Sequence, residues 1–447
     1  MKTMEATDVR GSARGGADEA AYRPPYLAAG LATLAVFALY AITLAPTTQF
    51  WDTSEYIATA HILGIPHPPG NPLFVVLARA WELLLAPTGL SIAVRINLFS
   101  AAMSALAHGC WFLVAHRILA DFSGNRVFRM VGAAAAVLVS ATAFTVWNQS
   151  NVNEKVYTVS LFTIALLSWL ALQWRDNLGR GKDDNVLLLM IFILALSVGN
   201  HLMAFLAAPA LVVFILLVSP RSLGNWKLYA GGAAVALLGL SIHLFLPLRA
   251  ALDPIINEAD PSTWTALLES LGRKQYSKPS VLMDPTNPDM PRSISLFAAQ
   301  IGNYLQYFDW QWARSIAGND SLFGGARPLF TALFALLGLF GAWAHYKRDR
   351  ISWVYVAVLF ATLSLGLTFY LNFKYGFSWN GRIPFEMREV RERDYFFIVG
   401  FSVWGVWAGI GIAAIWQWIA ERAATKERLR ARSWAVASPV LAIALIP

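Results

Sequence analysis

Two carboxylates, Asp52 and Glu55, stand three residues apart in the stretch Trp51–Pro72, and a histidine, His67, follows in a stiff turn, His67-Pro68-Pro69-Gly70. On a helix that spacing puts both acids on one face. One can then serve as general base for an acceptor hydroxyl while the other orients it. Asp52-Thr53-Ser54-Glu55 also fits a capping box, with Asp52 as N-cap and Glu55 folding back, a device worth about 1 kcal/mol. The two readings are compatible, because a capped helix is a rigid mount. His67 precedes a proline and is therefore forced out of the helical region. A histidine so placed can also simply bond a turn carbonyl.

Four other groups carry chemistry. Asn153-Glu154-Lys155-Val156-Tyr157 opens an apolar run, where Glu154 suits the positive end of a helix. Asn200-His201 falls between two short apolar runs, where a polar pair can also satisfy helix ends. Arg249 and the group Arg273-Lys274-Gln275-Tyr276 place positive charge in a long polar connection. Between Glu386 and Phe397 acids and bases alternate, through Arg388, Glu389, Arg391, Glu392, Arg393 and Asp394. Such a run is either a set of internal ion pairs or a cradle in which arginines grip a phosphate or pyrophosphate by forked hydrogen bonds.

The elements that must position these groups are set by composition. The 447 residues are 57% hydrophobic and only 14% charged, whereas a soluble domain carries about 25% charge. The chain therefore reads as an all-α, polytopic membrane protein. Residues 1–25 are polar and rich in Gly and Ala and read as a flexible cytoplasmic tail, followed by a first span at Tyr26–Pro46 that is too long for a signal-peptide core. Further spans are expected near 94–116, 129–147, 156–174, 186–200, 202–219, 228–247, 328–346, 351–371 and 395–419. An eleventh apolar stretch starts near Trp434 and the chain stops inside it. The expectation is about 10–11 transmembrane helices in a single domain, 26–447, truncated at its C-terminus.

With the tail inside and the spans alternating, inside segments hold twenty of the 35 basic residues, among them Arg117, Arg126, Arg175, Lys347, Arg348 and Arg422. Short outside connections hold almost none, as the positive-inside rule requires. The net charge of +8 thus encodes topology, and no nucleic-acid surface is inferred. The outer segments become 47–93, 148–155, 199–202, 249–327 and 372–394, which collect the residues named above. Segment 68–87 carries Arg79 and Glu82, and Ile294–Trp312 carries Gln300, Asn303, Gln306 and Asp309, so both read as interfacial helices.

Several patterns are set aside. Gly409-Ile-Gly411 mimics a dinucleotide fingerprint but lies inside a span with no strand before it. The single cysteine, Cys110, cannot form an intrachain disulfide. The seven histidines lack ligand spacing, so a divalent metal is not indicated and would require spatial convergence.

These residues together resemble one family. WDTSEYIATAHILGIPHPPGNPLFVVLAR is similar to its opening box, and Asn153–Tyr157, Gly199-Asn200-His201, Arg273–Tyr276 and Glu392–Phe397 are similar to its later motifs. The family is a large, mostly bacterial group of multi-pass proteins, long known only as a domain of unknown function, whose vertebrate member is an endoplasmic-reticulum protein O-mannosyltransferase for plexin-type domains. The resemblance implies GT-C-type glycosyltransferase architecture and sugar transfer from a polyprenyl-phosphate donor to a protein or glycan hydroxyl. It implies an inner-membrane enzyme with its site on the periplasmic side. Asp52, with Glu55, is the implied catalytic acid. His67, Glu154, Tyr157, Asn200, His201, Arg249, Lys274, Tyr276, Arg391, Arg393 and Asp394 are the implied donor- or substrate-binding set. Thr53-Ser54 replaces the family's usual Ser-Gly between the two acids, which reduces backbone freedom there but keeps both carboxylates. A transporter or flippase of lipid-linked sugars is the main alternative, and a non-catalytic scaffold is a third. Intramembrane charge would mark a transport path, whereas here the polar residues gather on one side.

Overall fold

In the computed structural model, described residues run from 22 to 447, except Phe50, 153–155, Arg180, Lys182, 277–279, 315–324, Ala326 and Asn380. The architecture is helical, with one small two-stranded hairpin, Met283–Asp284 against Asn287–Pro291. In chain order the first helices are α1 (Tyr26–Ile42), α2 (Thr53–Ile62), α3 (Pro72–Leu84), α4 (Ile92–Ala120), α5 (Arg126–Thr142), α6 (Phe144–Asn151), α7 (Tyr157–Asp176), α8 (Asp183–Val198) and α9 (Ala208–Val218). They continue as α10 (Trp226–Leu240), α11 (Phe245–Ala250), α12 (Trp264–Leu271), α13 (Ile294–Trp310), α14 (Arg327–Arg348), α15 (Arg350–Ala361), α16 (Leu367–Leu371), α17 (Ile398–Ala424) and α18 (Ser433–Ala437).

Among the described residues, six segments are long and apolar enough to cross a bilayer: Ile92–Ala120, Tyr157–Asp176, Trp226–Ala250, Arg327–Arg348, Arg350–Leu371 and Asp394–Ala424. Each coincides with an expected span. A seventh is reached if α5 and α6 count as one broken span. The wider sequence expectation also included shorter apolar helices. Tyr26–Ile42 has 17 residues, just under the ~20 that the hydrocarbon core requires, and Leu202–Val218 is of the same class. The stretch from Trp434 forms only short helical turns, Ser433–Ala437 and Ser438–Leu445.

The break between α5 and α6 is a departure from the continuous span expected at 129–147. The two helices meet at 70°, with Ala143 at φ −54°, ψ 131°, although neither Pro nor Gly announces it. The freed backbone groups are satisfied from outside the helix. Gln311 accepts from the Thr145 N–H through Oε1 at 2.9 Å and from the Phe144 N–H through its carbonyl at 3.4 Å. That replacement is what makes a break in an apolar helix tolerable.

Helix α17 is the hub, and all of its residues from Ile398 to Ala414 are buried. Its glycines explain why. A Cβ on Gly409 would sit 2.2 Å from the Ala136 Cα, and one on Gly405 2.6 Å from the Ser140 Cα, so α5 lies directly on the α17 backbone. On another face, a Cβ on Gly411 would meet the Leu337 carbonyl at 2.2 Å, and one on Gly341 the Trp407 carbonyl at 1.9 Å. The motif that mimics a nucleotide fingerprint is therefore a small-residue packing seam.

The helix ends sort into two groups. At one end Arg117, closing α4, binds Asp176, closing α7, at 2.6 Å, and Arg175 pairs with Asp349 between α14 and α15. At the other end lie Asp52, the loop before α17, and the turn after α8. Segment 68–87 forms α3, thirteen residues long and too short to span. Its Glu82 is 2% exposed and is held by Arg79, by Arg95 and by His61. Helix α13 buries the polar face read from the sequence, Gln300, Asn303, Gln306 and Asp309.

Candidate functional site

Asp52 precedes α2, but its side chain does not cap that helix, which corrects the capping-box expectation. Its Oδ2 instead accepts from Arg391 Nη2 at 3.2 Å, across 339 residues of sequence. Both side chains are partly shielded, at 23% and 16% exposure, so the contact faces solvent without being dissolved in it. Arg391 also lies over the rings of Trp51 and Tyr395, at 5.8 and 5.6 Å. Burial works to lower its pKa, and Tyr395 and Asp52 outweigh that and leave it raised. The guanidinium is thus a fixed charge beside Asp52.

Glu55 does not fold back on the helix start. It takes the His67 Nδ1 at 2.7 Å and the His67 backbone N–H at 2.5 Å. The proline turn that holds His67 extended is therefore what brings its N–H and its ring to one carboxylate. A charge-assisted pair of bonds to a fixed partner outweighs an N-cap bond, which explains why neither acid caps.

Tyr56, between them in the chain, is 2% exposed and donates to Asn71 Oδ1 at 2.9 Å. Its phenol is pushed well above its ordinary pKa, first by burial, then by the charges of Glu55 and Asp52, with Arg273 opposing. It stays a neutral donor beside two acids. Asn71 stands in the left-handed region, at φ 38°, and its amide donates to the Asn200 carbonyl. The Asn200 side chain is fully buried and donates to the Val156 carbonyl at 2.9 Å and to Ser160 Oγ at 3.0 Å. Asn200 thereby binds α7 and α8 to the turn that carries His67.

His201 accepts from the Met203 N–H at 3.0 Å, as a cap, and its ring lies 5.5 Å from Tyr157. Tyr157 is buried and packs on Tyr395 and Phe396, at 5.1 and 5.6 Å. These aromatic contacts floor the loop that delivers Arg391. Asp394 is 8% exposed and accepts from Thr145 Oγ1 at 2.6 Å, which fixes that loop to the broken span.

The loop 386–394 does both things that its alternating charge allowed. Arg393 is an internal ion pair: Nε and Nη2 each meet Glu389 Oε2 at 2.9 Å, and Nη1 donates to the Tyr395 hydroxyl at 2.8 Å. Arg391 reaches outward to Asp52. Arg249 caps the end of α2, donating to the carbonyls of Leu63 and Ile62 at 2.7 and 3.0 Å. Lys274 is 70% exposed and pairs with Glu269, while Tyr276 lies 5.9 Å from Arg273. Glu154 lies outside the described residues. Asp52, Glu55, His67, Tyr157, His201, Arg391, Arg393 and Asp394 are thus brought to one end of the molecule. Arg249 and Asn200 brace it from behind, and Lys274 stands at its edge.

Two residues that sequence reasoning did not single out, Asn71 and Tyr307, hold the site in shape together with Arg273, which it named only as part of a positive group. Asn71 joins Tyr56 to Asn200. Arg273, whose Nε approaches the Pro68 carbonyl at 3.4 Å, is the member of its motif that reaches the turn. Tyr307 donates to Glu392 and accepts from the Arg393 N–H, each at 3.0 Å. The signal for Asn71 was the Gly70-Asn71 pair after two prolines, a favoured site for positive φ. Tyr307 left no signal beyond its place on a polar face. Among the described residues, no three of His, Cys, Asp or Glu gather as a metal set.

Residues 52–223 match the family model for the N-terminal domain of the protein O-mannosyl-transferase TMEM260. The mouse protein O-mannosyl-transferase TMEM260 is 26% identical over 319 residues, which cover 69% of this chain and 43% of that protein. The Dictyostelium discoideum protein O-mannosyl-transferase tmem260 is 24% identical over 254 residues, 53% of this chain and 29% of the relative. The chain spans less than half the length of these curated relatives. The family resemblance drawn from the motifs is borne out, and the matched segment starts at Asp52.

Proposed function

We propose that this multi-pass membrane chain, whose segment 52–223 is that of protein O-mannosyl-transferases, moves a sugar from a polyprenyl-phosphate donor to an acceptor hydroxyl. Mannose is the sugar to which the relatives' names point. The membrane is the cytoplasmic (inner) membrane, the N-terminus is cytoplasmic and the reaction faces the other side. The acceptor is a protein or glycan.

The observation that carries this reading is the 3.2 Å contact between Asp52 and Arg391 at one end of the helical bundle. A transfer of this kind needs a base for the hydroxyl and a positive charge for the departing phosphate, close together. Asp52 takes the acceptor proton as the hydroxyl oxygen bonds to the anomeric carbon. The bond from that carbon to the phosphate oxygen breaks, and the lipid phosphate leaves carrying its electron pair. Arg391, raised in pKa and charged throughout, meets the growing phosphate charge, where a preplaced donor is worth most. A single displacement inverts the anomeric centre. Glu55 and His67 hold the turn, and Arg393 holds the loop that presents Arg391.

The test is transfer of labelled mannose from polyprenyl-phosphate mannose by the full chain reconstituted in liposomes, with a hydroxyl acceptor peptide. Asp52→Asn is expected to lower transfer by about 10²–10⁴-fold while donor binding persists. Near-normal transfer by that variant would remove Asp52 as the base.

A further inference from the structure

At the end of the molecule away from Asp52, a cleft of about 320 Å³ opens between α14 and α17. The packing of these helices explains its position. They touch backbone to backbone at Gly341 and Gly411 and cannot stay in contact beyond that crossing. One turn later only Ala344 and Ala414 floor the gap, Trp343 and Trp418 wall it, and Phe122 closes its base. Both tryptophans are about half exposed, at 54% and 52%. Amphipathic rings so placed at a helix end mark the level of lipid headgroups.

Three cations stand at the cleft: Lys347 and Arg348 line it, and Arg422 lies beside it against the Trp418 wall. Lys347 lies 5.9 Å over Trp343, Arg348 lies 5.5 Å over Phe122, and Arg422 lies 4.2 Å over Trp418. None of the three has a carboxylate partner among the described residues. That sets them apart from their neighbours at this same end, since Arg117 is neutralised by Asp121 and Asp176, and Arg175 by Asp349. The one acid lining the cleft, Glu421, accepts from Gln417 at 2.8 Å. Here, then, is an apolar slot at the membrane boundary with a net positive rim, three cations against the single carboxylate of Glu421, where basic pockets between helices select anionic headgroups.

We infer that this cleft binds an anionic phospholipid, with the phosphate on Lys347, Arg348 and Arg422 and the first part of an acyl chain between Trp343 and Trp418. The volume suits part of a lipid and not a whole one, so the remainder of the chain lies along the outer surface of α14. This site is separate from the Asp52 end and does not depend on the reaction proposed there.

The experiment offers the purified full chain, in nonionic detergent, equimolar dioleoyl phosphatidylglycerol and phosphatidylcholine and counts retained lipid by native mass spectrometry. Phosphatidylglycerol is expected to be retained in about tenfold excess. Lys347→Gln, Arg348→Gln and Arg422→Gln together bring that excess close to parity. Ala344→Phe keeps all three charges and fills the slot, and is expected to lower it as well. Lys426→Gln, Arg428→Gln and Arg430→Gln, which remove the same charge just beyond α17, leave it unchanged. An excess that survives both cleft variants overturns the proposal. So does an excess erased equally by the triple variant beyond α17, because the attraction is then diffuse. Displacement of the lipid by an equal concentration of glycerol phosphate would reduce the site to a phosphate site and overturn the lipid assignment.

Discussion

Asp52 and Glu55 are one helical turn apart and are held in opposite ways. Glu55 is fixed by its own neighbourhood, through the N–H and ring of His67 in the following turn. Asp52 is met by an arginine 339 residues away, on a loop that reaches it only because the whole bundle has formed. A carboxylate whose partner is local is set by the turn, here one that Asn200 and Arg273 brace from elsewhere in the chain. A carboxylate whose partner is distant joins two parts of the fold and can change partner when a substrate arrives. On the reaction proposed above, the difference favours Asp52 for the chemistry and Glu55 for holding the turn in shape.

The sharpest way to break that division is to remove each charge in turn. Asp52→Asn is expected to lower transfer by about 10²–10⁴-fold, the usual contribution of a positioned base, with little change in thermal unfolding. Arg391→Ala comes next, at about 10²–10³-fold in the rate of transfer, and Arg391→Lys is expected to recover part of it because a point charge replaces a fork. Should Arg391→Ala leave the rate intact while unfolding shifts downward, the Asp52 contact would be structural and the comparison would collapse. Glu55→Gln is expected to act mainly on stability. Weakening two charge-assisted bonds costs about 1.5–3 kcal/mol, read as a lower unfolding temperature in detergent, with transfer by the surviving folded fraction reduced far less than in Asp52→Asn. A double-mutant cycle with His67→Ala checks the pairing, since the two losses should be markedly less than additive.

Much of this organisation was legible in the chain. Composition gave the membrane class, and the six long spans coincide with apolar runs because a bilayer imposes its thickness directly on sequence. The motif that opens at Asp52 and the loop 386–397 both stood out through charge beside apolar sequence. What was not legible is pairing. The sequence offered Arg391, Arg393 and Arg249 as equivalent cations, yet Arg393 is taken by Glu389, Arg249 by the end of α2, and Arg391 meets Asp52. Which arginine reaches which acid depends on how loops cross a bundle, and no local pattern records it. The break at Ala143 was hidden for the same reason, because the group that makes it tolerable, Gln311, lies far along the chain. The capping box was misleading because spacing alone cannot show that stronger partners wait elsewhere.

The smallest effect tests the edge of the site. Lys274 belongs to the same sequence motif as Arg273, and the resemblance placed it among the binding residues. In the fold Arg273 turns toward the Pro68 carbonyl, whereas Lys274 extends outward to Glu269 at 3.2 Å with 70% exposure. An exposed pair of that kind contributes about 0–1 kcal/mol. Lys274→Gln is therefore expected to leave unfolding unchanged within about 0.5 kcal/mol and transfer within about twofold. Arg273→Gln should instead loosen the turn that carries His67 and so approach the stability loss of Glu55→Gln. If Lys274→Gln proves the more damaging of the two, the substrate reaches beyond the Asp52–Arg391 contact to the outer face of this loop. The division between a catalytic acid and a bracing one would then have to be redrawn around a larger site.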